Sequence, residues 1–267
     1  MKRAMKQTAL RIFILSLMAT VPALADEWAK TYSISGKPDL RVETSDANIH
    51  VITWDQNTIE AKVVTSHYKI GEGGIRIEEH QDGDIVQIDV RYPHHAITVE
   101  WGQHKVDITI QMPREGKVNL RTGDGRIELA AFKGEMDLHT GDGSETLDGV
   151  DGRLRASTGD GHIRANGRFD ELDLKTGDGP LDVTARPGSS MASDWRFETG
   201  DGSVTLALPS DLPANVDLHT NDGHIDLEMP VTTTGQVHEN AVRGKLNGGG
   251  SALTIRTGDG SIHLRKS

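Results

Sequence analysis

The stretch LRTGDGRIELAAFKGEMDLHTGDG, residues 120–143, contains two copies of the tetrapeptide TGDG, 18 residues apart. The tetrapeptide, or its variant TNDG, recurs along the second half of the chain. Its copies begin at Thr122, Thr140, Thr158, Thr176, Thr199, Thr220 and Thr257. The first three steps are 18 residues, the next two are 23 and 21, and the last is 37, about two periods with one degenerate unit between. Such a period indicates a repeat protein in which each repeat forms one structural unit.

Apolar residues occupy fixed positions around each turn. Two residues before each Thr stand Leu120, Leu138, Ala156, Leu174, Phe197, Leu218 and Ile255. Five residues after it stand Ile127, Glu145, Ile163, Leu181, Val204, Ile225 and Ile262. The alternation with polar residues predicts two short strands around each Gly-Asp-Gly corner, each with one buried face. Glu145 is the exception, explained by a local register shift or escape to solvent, with a functional buried acid as the alternative.

The corner itself has the chemistry of a turn, because glycine permits positive φ and Asp hydrogen-bonds its local backbone. An antiparallel meander, with TGDG closing each hairpin, fits this pattern. A solenoid of stacked coils also fits, and it is favoured because stacking in register places like residues on like. We therefore predict an all-β fold, a β-solenoid or single-stranded parallel β-helix built from 18–23-residue TGDG-centred repeats.

The N-terminus has the pattern of a secretory signal peptide, residues 1–25. Basic residues precede the apolar run 12–21, which ends at the small-residue signal Ala23-Leu24-Ala25. We expect cleavage after Ala25, export to the periplasm or beyond, and no transmembrane segment in the mature chain. Removing this segment changes the formal charge from −11 to −15. So acidic a chain is not expected to bind nucleic acid.

The mature chain is expected to be one domain with two regions. Residues 26–115 form an N-terminal β region, in which LRVETSDANIHVITW (40–54) is a diverged repeat with Asp46 at its corner, and residues 116–267 form the TGDG-repeat solenoid. Residues 186–194 and 229–250 lack the pattern and are predicted as loops. The latter loop, or a partner, is expected to cover the final coil, whose strand edges would otherwise be exposed.

Several of these motifs resemble a known family. They are Trp28 near the mature start, LRVETSDANIHVITWD (40–55), the LxLxTGDGxIxL units, and KLNGGGSALTIRTGDGSIHL (245–264). Together they are similar to the DUF4097 family, bacterial β-strand-repeat proteins named for an inferred adhesive role. The resemblance covers nearly the whole mature chain. It implies a parallel β-helix outside the cytoplasm and carries over no catalytic residues.

The aspartates of the turns are the most conspicuous candidates for metal chemistry. Stacked coils would place them roughly 5 Å apart, and calcium accepts carboxylate and carbonyl oxygens in flexible geometry. The weak calcium candidates are Asp124, Asp142, Asp160, Asp178, Asp201, Asp222 and Asp259. Turn chemistry alone explains these residues, and the calcium-binding nonapeptide GGxGxDxUx of β-rolls is absent. We therefore expect no cofactor, with calcium as the alternative.

Histidines are the other metal candidates. His94, His95 and His104 lie close in sequence but lack a carboxylate ligand motif, so neither zinc nor copper is expected there. His139 and His219 share one phase, but their coils are too far apart to share an ion.

No enzymatic motif stands out from the repeat. The chain has no Cys and no GxSxG, and the GDG repeats precede strands rather than the helix that a dinucleotide fingerprint requires. Aromatic residues are 4% of the chain, and short coils leave little loop to build a polysaccharide cleft. We expect a non-enzymatic, adhesin-like binding or scaffolding protein whose partner is a cell-envelope or surface protein or glycan. The alternatives are a periplasmic accessory or sensory protein and a polysaccharide lyase or hydrolase.

Overall fold

The computed structural model describes residues 25–66, 68–93, 105–233 and 238–267. None of these residues is helical, so the prediction of an all-β protein is confirmed, and the described part of the chain has no helix able to cross a membrane. Residues 1–24 of the predicted signal peptide, and the group of His94, His95 and His104, lie outside the described residues.

The described residues form 21 strands. They are β1 (Ala25–Ser33), β2 (Asp39–Thr44), β3 (Asn48–Trp54), β4 (Thr58–Ser66), β5 (Arg76–Asp82), β6 (Ile85–Arg91), β7 (Lys105–Pro113), β8 (Glu115–Thr122), β9 (Ile127–Ala130), β10 (Lys133–Thr140), β11 (Glu145–Thr158), β12 (Ile163–Thr176), β13 (Leu181–Ala185), β14 (Trp195–Glu198), β15 (Val204–Leu208), β16 (Ala214–Thr220), β17 (Ile225–Leu227), β18 (Thr232–Thr233), β19 (Ala241–Leu246), β20 (Ala252–Thr257) and β21 (Ile262–Lys266).

These strands form two ladders, which we call the first and second sheets. The first sheet holds the strands that precede each turn, in the order β5-β6-β2-β8-β10-β11-β12-β14-β20-β16-β19-β18. The second holds those that follow it, in the order β1-β4-β7-β3-β9-β11-β12-β13-β15-β21-β17. The long strands β11 and β12 pass from the second sheet into the first, so each contributes to both.

The register between neighbouring strands decides between the two architectures left open by the sequence. Leu138 pairs in parallel with Leu120 on one side and with Ala156 on the other, each 18 residues away. A meander would instead have paired strands antiparallel across each turn. The coils therefore stack in parallel, and we name each coil by the threonine of its turn, from the Thr44 coil to the Thr257 coil.

The core lies between the two sheets and is filled by the apolar columns. Leu120, Leu138, Ile127 and Ile163 are all at most 1% exposed. Burial of one such side chain is worth roughly 1.5–3 kcal/mol, and a single coil has no second layer to provide it. The stability of each coil therefore depends on its neighbours, as is general for solenoids.

The order of coils in space differs from the order in sequence at both ends. The Thr44 coil (β2, β3) lies inside the pair β6 and β7, which follow it in sequence. At the other end the Thr257 coil (β20, β21) is inserted between the Thr199 and Thr220 coils. The final coil in sequence is thus internal, and the terminal coil is that of Thr220, where Ile225 and Leu227 are only half-buried.

The predicted loop 229–250 is wrong in part, because it contains β18 and β19. The strand β19 pairs antiparallel with β16, and β18 pairs antiparallel with β19. They cover the first-sheet edge of the Thr220 coil, with Val242 and Leu246 buried against it. The 37-residue step from Thr220 to Thr257 is filled by this cover, so the described residues between them contain no degenerate coil.

Candidate functional surface

The turns along one edge of the solenoid stack closely through their glycines. The N–H of Gly177 donates to the carbonyl oxygen of Gly159, one coil away, at 2.5 Å. A Cβ on Gly161 would overlap the carbonyl oxygen of Gly143 in the neighbouring turn. None of the turn glycines has a positive φ. The expectation that they serve positive φ is therefore wrong: they are required because stacked turns leave no room for a side chain.

The threonines of the turns are buried and connect neighbouring coils. Thr158 Oγ1 donates to the carbonyl oxygen of Gly143 in the preceding coil at 3.0 Å and accepts from the N–H of Gly161 at 3.1 Å. The same two bonds are made by Thr176, Thr199, Thr220 and Thr257. Sequence reasoning used these threonines only to mark the repeat. Their recurrence beside two glycines was the signal that the side chain is structural.

The turn aspartates form an exposed line along the same edge, which we call the aspartate row. In spatial order it consists of Asp46, Asp124, Asp142, Asp160, Asp178, Asp201, Asp259 and Asp222, all exposed to solvent. Neighbouring coils in parallel sheets are about 4.8 Å apart, so the row is a linear array of carboxylates.

Like charges act on one another at the end of the row. Partial burial and then the negative charge of Asp124 raise the pKa of Asp46 above its ordinary value. Across the described residues, no group of three or more His, Asp or Glu side chains is arranged to hold a metal ion. The row thus places the seven calcium candidates side by side without forming a coordination cage, and the expectation of no cofactor, with calcium as the alternative, stays a prediction.

The outer face of the first sheet carries charges that alternate in sign from coil to coil. Lys117 lies 2.7 Å from Glu135, Glu135 lies 3.9 Å from Arg153, and Arg153 lies 2.8 Å from Glu171. Inward columns therefore repeat like residues, whereas this outward column alternates cation and anion. Its charges neutralise one another, in contrast to the aspartate row.

A shallow groove of about 450 Å³ follows this face across β6, β2, β8, β10 and β11. Its walls include Arg41, Gln87, Asn119 and Asp137. The hydrogen bond from Lys117 lowers the pKa of Glu135 in this groove below its ordinary value. An acid that protonates a leaving group needs a raised pKa, so Glu135 is unsuited to that role.

The outer face of the second sheet is less charged and carries cross-strand histidine pairs. His162 Nε2 lies 2.9 Å from Asp182, and His50 Nδ1 lies 3.0 Å from Glu128. Each pair joins neighbouring coils. Such pairs satisfy both partners without bringing a third metal-ligating side chain to the same point.

The histidines of equal phase lie on the first sheet, several coils apart as expected. His139 Nδ1 lies 2.9 Å from Ser157 Oγ, whereas His219 lies on β16 opposite Arg256. The structure therefore does not bring His139 and His219 together.

Glu145 is the residue that the sequence pattern left unexplained, and it lies in the core without a register shift. Its strand pairs in parallel with Ile127 and Ile163 at this position, and the side chain is 0% exposed. Neither carboxyl oxygen makes a hydrogen bond. Burial raises the pKa of Glu145 well above its ordinary value, while the Thr140 backbone and the negative Asp137 have smaller, opposite effects. The predicted escape to solvent is wrong.

Comparisons with solved structures return bacterial proteins of low sequence identity. A "putative adhesin" from Parabacteroides merdae ATCC 43184 is 12% identical, with a TM-score of 0.47 over 90% of this chain and 97% of that chain. A "putative cell adhesion protein" from Clostridium sporogenes ATCC 15579 is 13% identical, with a TM-score of 0.42 over 90% and 99%. A "putative lipid binding protein" from Parabacteroides distasonis ATCC 8503 is 14% identical, with a TM-score of 0.41 over 90% and 97%. None of the curated proteins matches the sequence.

A family model, Toastrack DUF4097, matches residues 29–265. That span includes every turn of the repeat and both end regions. The resemblance inferred from the TGDG units is confirmed, and the chain belongs to the DUF4097 (Toastrack) family.

Proposed function

We propose that this chain is an exported, non-enzymatic β-solenoid that acts as an adhesin-like binding or scaffolding protein of the bacterial cell envelope. One observation carries the proposal: the outward positions of a coil lie beside the same positions of the next coil, as Lys117, Glu135 and Arg153 do. The result is long rows of polar side chains on two faces and one edge. A partner that contacts several coils gains affinity from many weak contacts.

The aspartate row is the part of this surface most available to a partner. The charges of the first sheet are paired with one another, as in Lys117 with Glu135. The exposed carboxylates of the row have no such alternation. A linear array of negative charge attracts basic segments of an envelope protein and accepts hydrogen bonds from glycan hydroxyls.

The non-enzymatic part of the proposal rests on the acids themselves. Glu135, within the groove, has a lowered pKa, and Glu145, with a raised pKa, is sealed in the core. A glycosidase needs an acid of raised pKa facing a carboxylate across a cleft. Asp46 also has a raised pKa, but it lies beside Asp124 in the exposed row and not across a cleft from it.

Binding by the row is tested with matched variants and crosslinking in intact cells. The variant Asp142→Asn, Asp160→Asn, Asp178→Asn removes three neighbouring charges. A control variant, Asp211→Asn, Glu228→Gln, Glu239→Gln, removes three exposed acids outside the row. We expect the adducts captured with an amine-reactive crosslinker to be lost in the first variant and kept in the second. If both variants keep the crosslinked adducts equally, the aspartate row is not the binding surface.

Export is tested by fractionation with external protease on intact producing cells. Degradation at the surface, or recovery from the medium, supports the adhesin-like form of the proposal. Full protection within the periplasm contradicts that form and supports the periplasmic accessory or sensory alternative. Retention of the unprocessed chain in the cytoplasm contradicts both.

A further inference from the structure

The unpaired carboxyl of Glu145 lies in a coil that also lacks the threonine link to its predecessor. Thr122 Oγ1 donates to the carbonyl oxygen of Ala47 in the Thr44 coil at 2.9 Å. The threonines from Thr158 onward likewise donate to a glycine carbonyl of the adjacent coil. Thr140 Oγ1 instead donates to Gly143 of its own coil, at 2.7 Å. Since a hydroxyl has one proton, Thr140 forms no donor link to the Thr122 coil.

The remaining side-chain links across this junction are exposed ion pairs. Lys117 lies 2.7 Å from Glu135, and Arg121 lies 3.7 Å from Asp137. Exposed pairs of this kind contribute little to stability, because water and salt screen them. The backbone ladder and the apolar core must therefore hold the junction, and Glu145 is part of that core.

Apart from the Thr140 backbone, whose effect is smaller than that of burial, the surroundings of Glu145 offer nothing that would stabilise a negative charge. Its column neighbours are Ile127 and Ile163. The charged residues next to it on β9 and β12, Glu128 and Arg164, lie on the outer face of the sheet, as do Asp137 and His139 of β10. Asp137 is itself negative. Burial strongly disfavours an ionised carboxylate in such a site, so the packed state requires the neutral acid.

We propose that protonation of Glu145 controls the packing of the Thr140 coil on the Thr122 coil. With the acid neutral the junction is closed, and ionisation opens it locally. This device goes beyond the proposed binding function, since it concerns one junction of the rod and not its outward rows. It gives an exported protein a structural response to the pH of its surroundings.

The direction of the response follows from proton linkage. The open junction exposes Glu145 to water, where a Glu has a pKa of about 4.3, whereas the closed junction raises that pKa. Above about pH 4.3 the open form therefore releases a proton that the closed form keeps. The opening constant rises about tenfold per pH unit until the raised pKa is passed, and then levels off.

Hydrogen exchange followed by mass spectrometry, at several pH values between 5 and 9, tests the proposal. After correction for the intrinsic pH dependence of exchange, residues 127–130 and 145–148 should exchange about tenfold faster per pH unit over part of this range. Residues 204–208 and 262–266, in a distant junction, serve as the internal reference. Two variants remove the ionisable group. Glu145→Gln keeps the shape of the side chain but cannot ionise, and Glu145→Ile places the same residue type as its column neighbours Ile127 and Ile163.

Both variants should show corrected exchange in residues 127–130 that does not change with pH. A wild-type chain whose corrected exchange there is equally independent of pH would overturn the proposal. So would a pH dependence that the two variants retain, since another group would then be responsible. A pH dependence of equal size in residues 204–208 would assign the effect to the whole rod and contradict control at this junction.

Discussion

Thr158 is hydrogen-bonded to Gly143 of the preceding coil through its buried hydroxyl, at 3.0 Å. The same oxygen accepts the N–H of Gly161 at 3.1 Å. One side chain thus satisfies two backbone groups that the turn leaves without a strand partner. The threonine of TGDG is therefore a connector between coils, and the glycines around it keep the turns close enough for the bond to form.

Replacing this threonine by its isostere should destabilise the chain. In Thr158→Val the N–H of Gly161 loses its partner in a buried site, and the carbonyl oxygen of Gly143 keeps only its hydrogen bond from Thr140 Oγ1. We expect the free energy of unfolding to fall by about 1–3 kcal/mol, measured by urea denaturation. Thr158→Ser, which keeps the hydroxyl, should lose less than the valine variant. Equal losses in the two variants would show that the hydroxyl contributes no more than the methyl group, which would contradict this prediction.

The close approach of the turns predicts a second sensitive position. In Gly161→Ala the new Cβ meets the carbonyl oxygen of Gly143, a backbone atom that can move only with its whole turn. We expect a loss of about 1–3 kcal/mol or more in thermal or urea unfolding. Gly83→Ala is the control, because its Cβ would meet nothing within 4 Å and its cost arises only from the φ of 58°. A smaller loss at Gly161 than at Gly83 would contradict the steric explanation.

A stabilising substitution is expected at the opposite corner of a coil. Ala131 has a φ of 54°, in the left-handed region that costs an L-residue about 1–2 kcal/mol. The equivalent position of the next coil is Gly149, with a φ of 66°. Ala131→Gly should raise the free energy of unfolding by about 0.5–1 kcal/mol. Ala130→Gly, in the adjoining strand, should lower it by a similar amount; a gain in both would reject the conformational argument.

The interior of the rod could be predicted from the sequence, and its ends could not. The columns through Leu138 and Ile163 are buried as their periodicity indicates, because a repeat of 18 residues fixes which side chains face the core. Periodicity identifies a coil but not its neighbours in space. The insertion of the Thr257 coil before the Thr220 coil, and the cover formed by β19, depend on long-range pairing that no local pattern records.

The candidate surface was likewise predictable from the sequence only in part. The aspartate row follows directly from the recurrence of Asp in each turn. Glu145 was visible as a break in its column, but the sequence offered no means of deciding between escape to solvent and burial. That outcome depends on whether the strand keeps its register, and the pairing of Glu145 with Ile127 and Ile163 shows that it does.

The loss of unfolding free energy at acidic pH should depend on Asp217. Its hydrogen bond with Arg256, and the nearby Arg243, lower its pKa below the ordinary value. A lowered pKa in the folded state adds stability above the unfolded pKa of about 3.9, and that stability is lost as pH falls through the folded value. Asp217→Asn should therefore reduce the difference in unfolding free energy between pH 6 and pH 2, measured by urea titration. Asp211→Asn, in an exposed loop, is the control; an unchanged difference in Asp217→Asn would refute the assignment.

The strand β5 forms the edge of the first sheet at one end of the rod. Among the described residues this strand pairs only with β6, so its other edge presents unpaired backbone groups. Its exposed side chains include Glu78, His80 and Asp82, and charged residues on an edge strand oppose pairing with a second chain.

The triple variant Glu78→Thr, His80→Thr, Asp82→Thr should therefore associate end to end, with a mass in light scattering that grows with protein concentration. The aspartate-row variant Asp142→Asn, Asp160→Asn, Asp178→Asn reduces net charge without changing an edge strand and should keep the mass of the unsubstituted chain. If both variants associate, the cause is the change in net charge. If neither variant associates, the edge of β5 is protected by something other than its charged side chains.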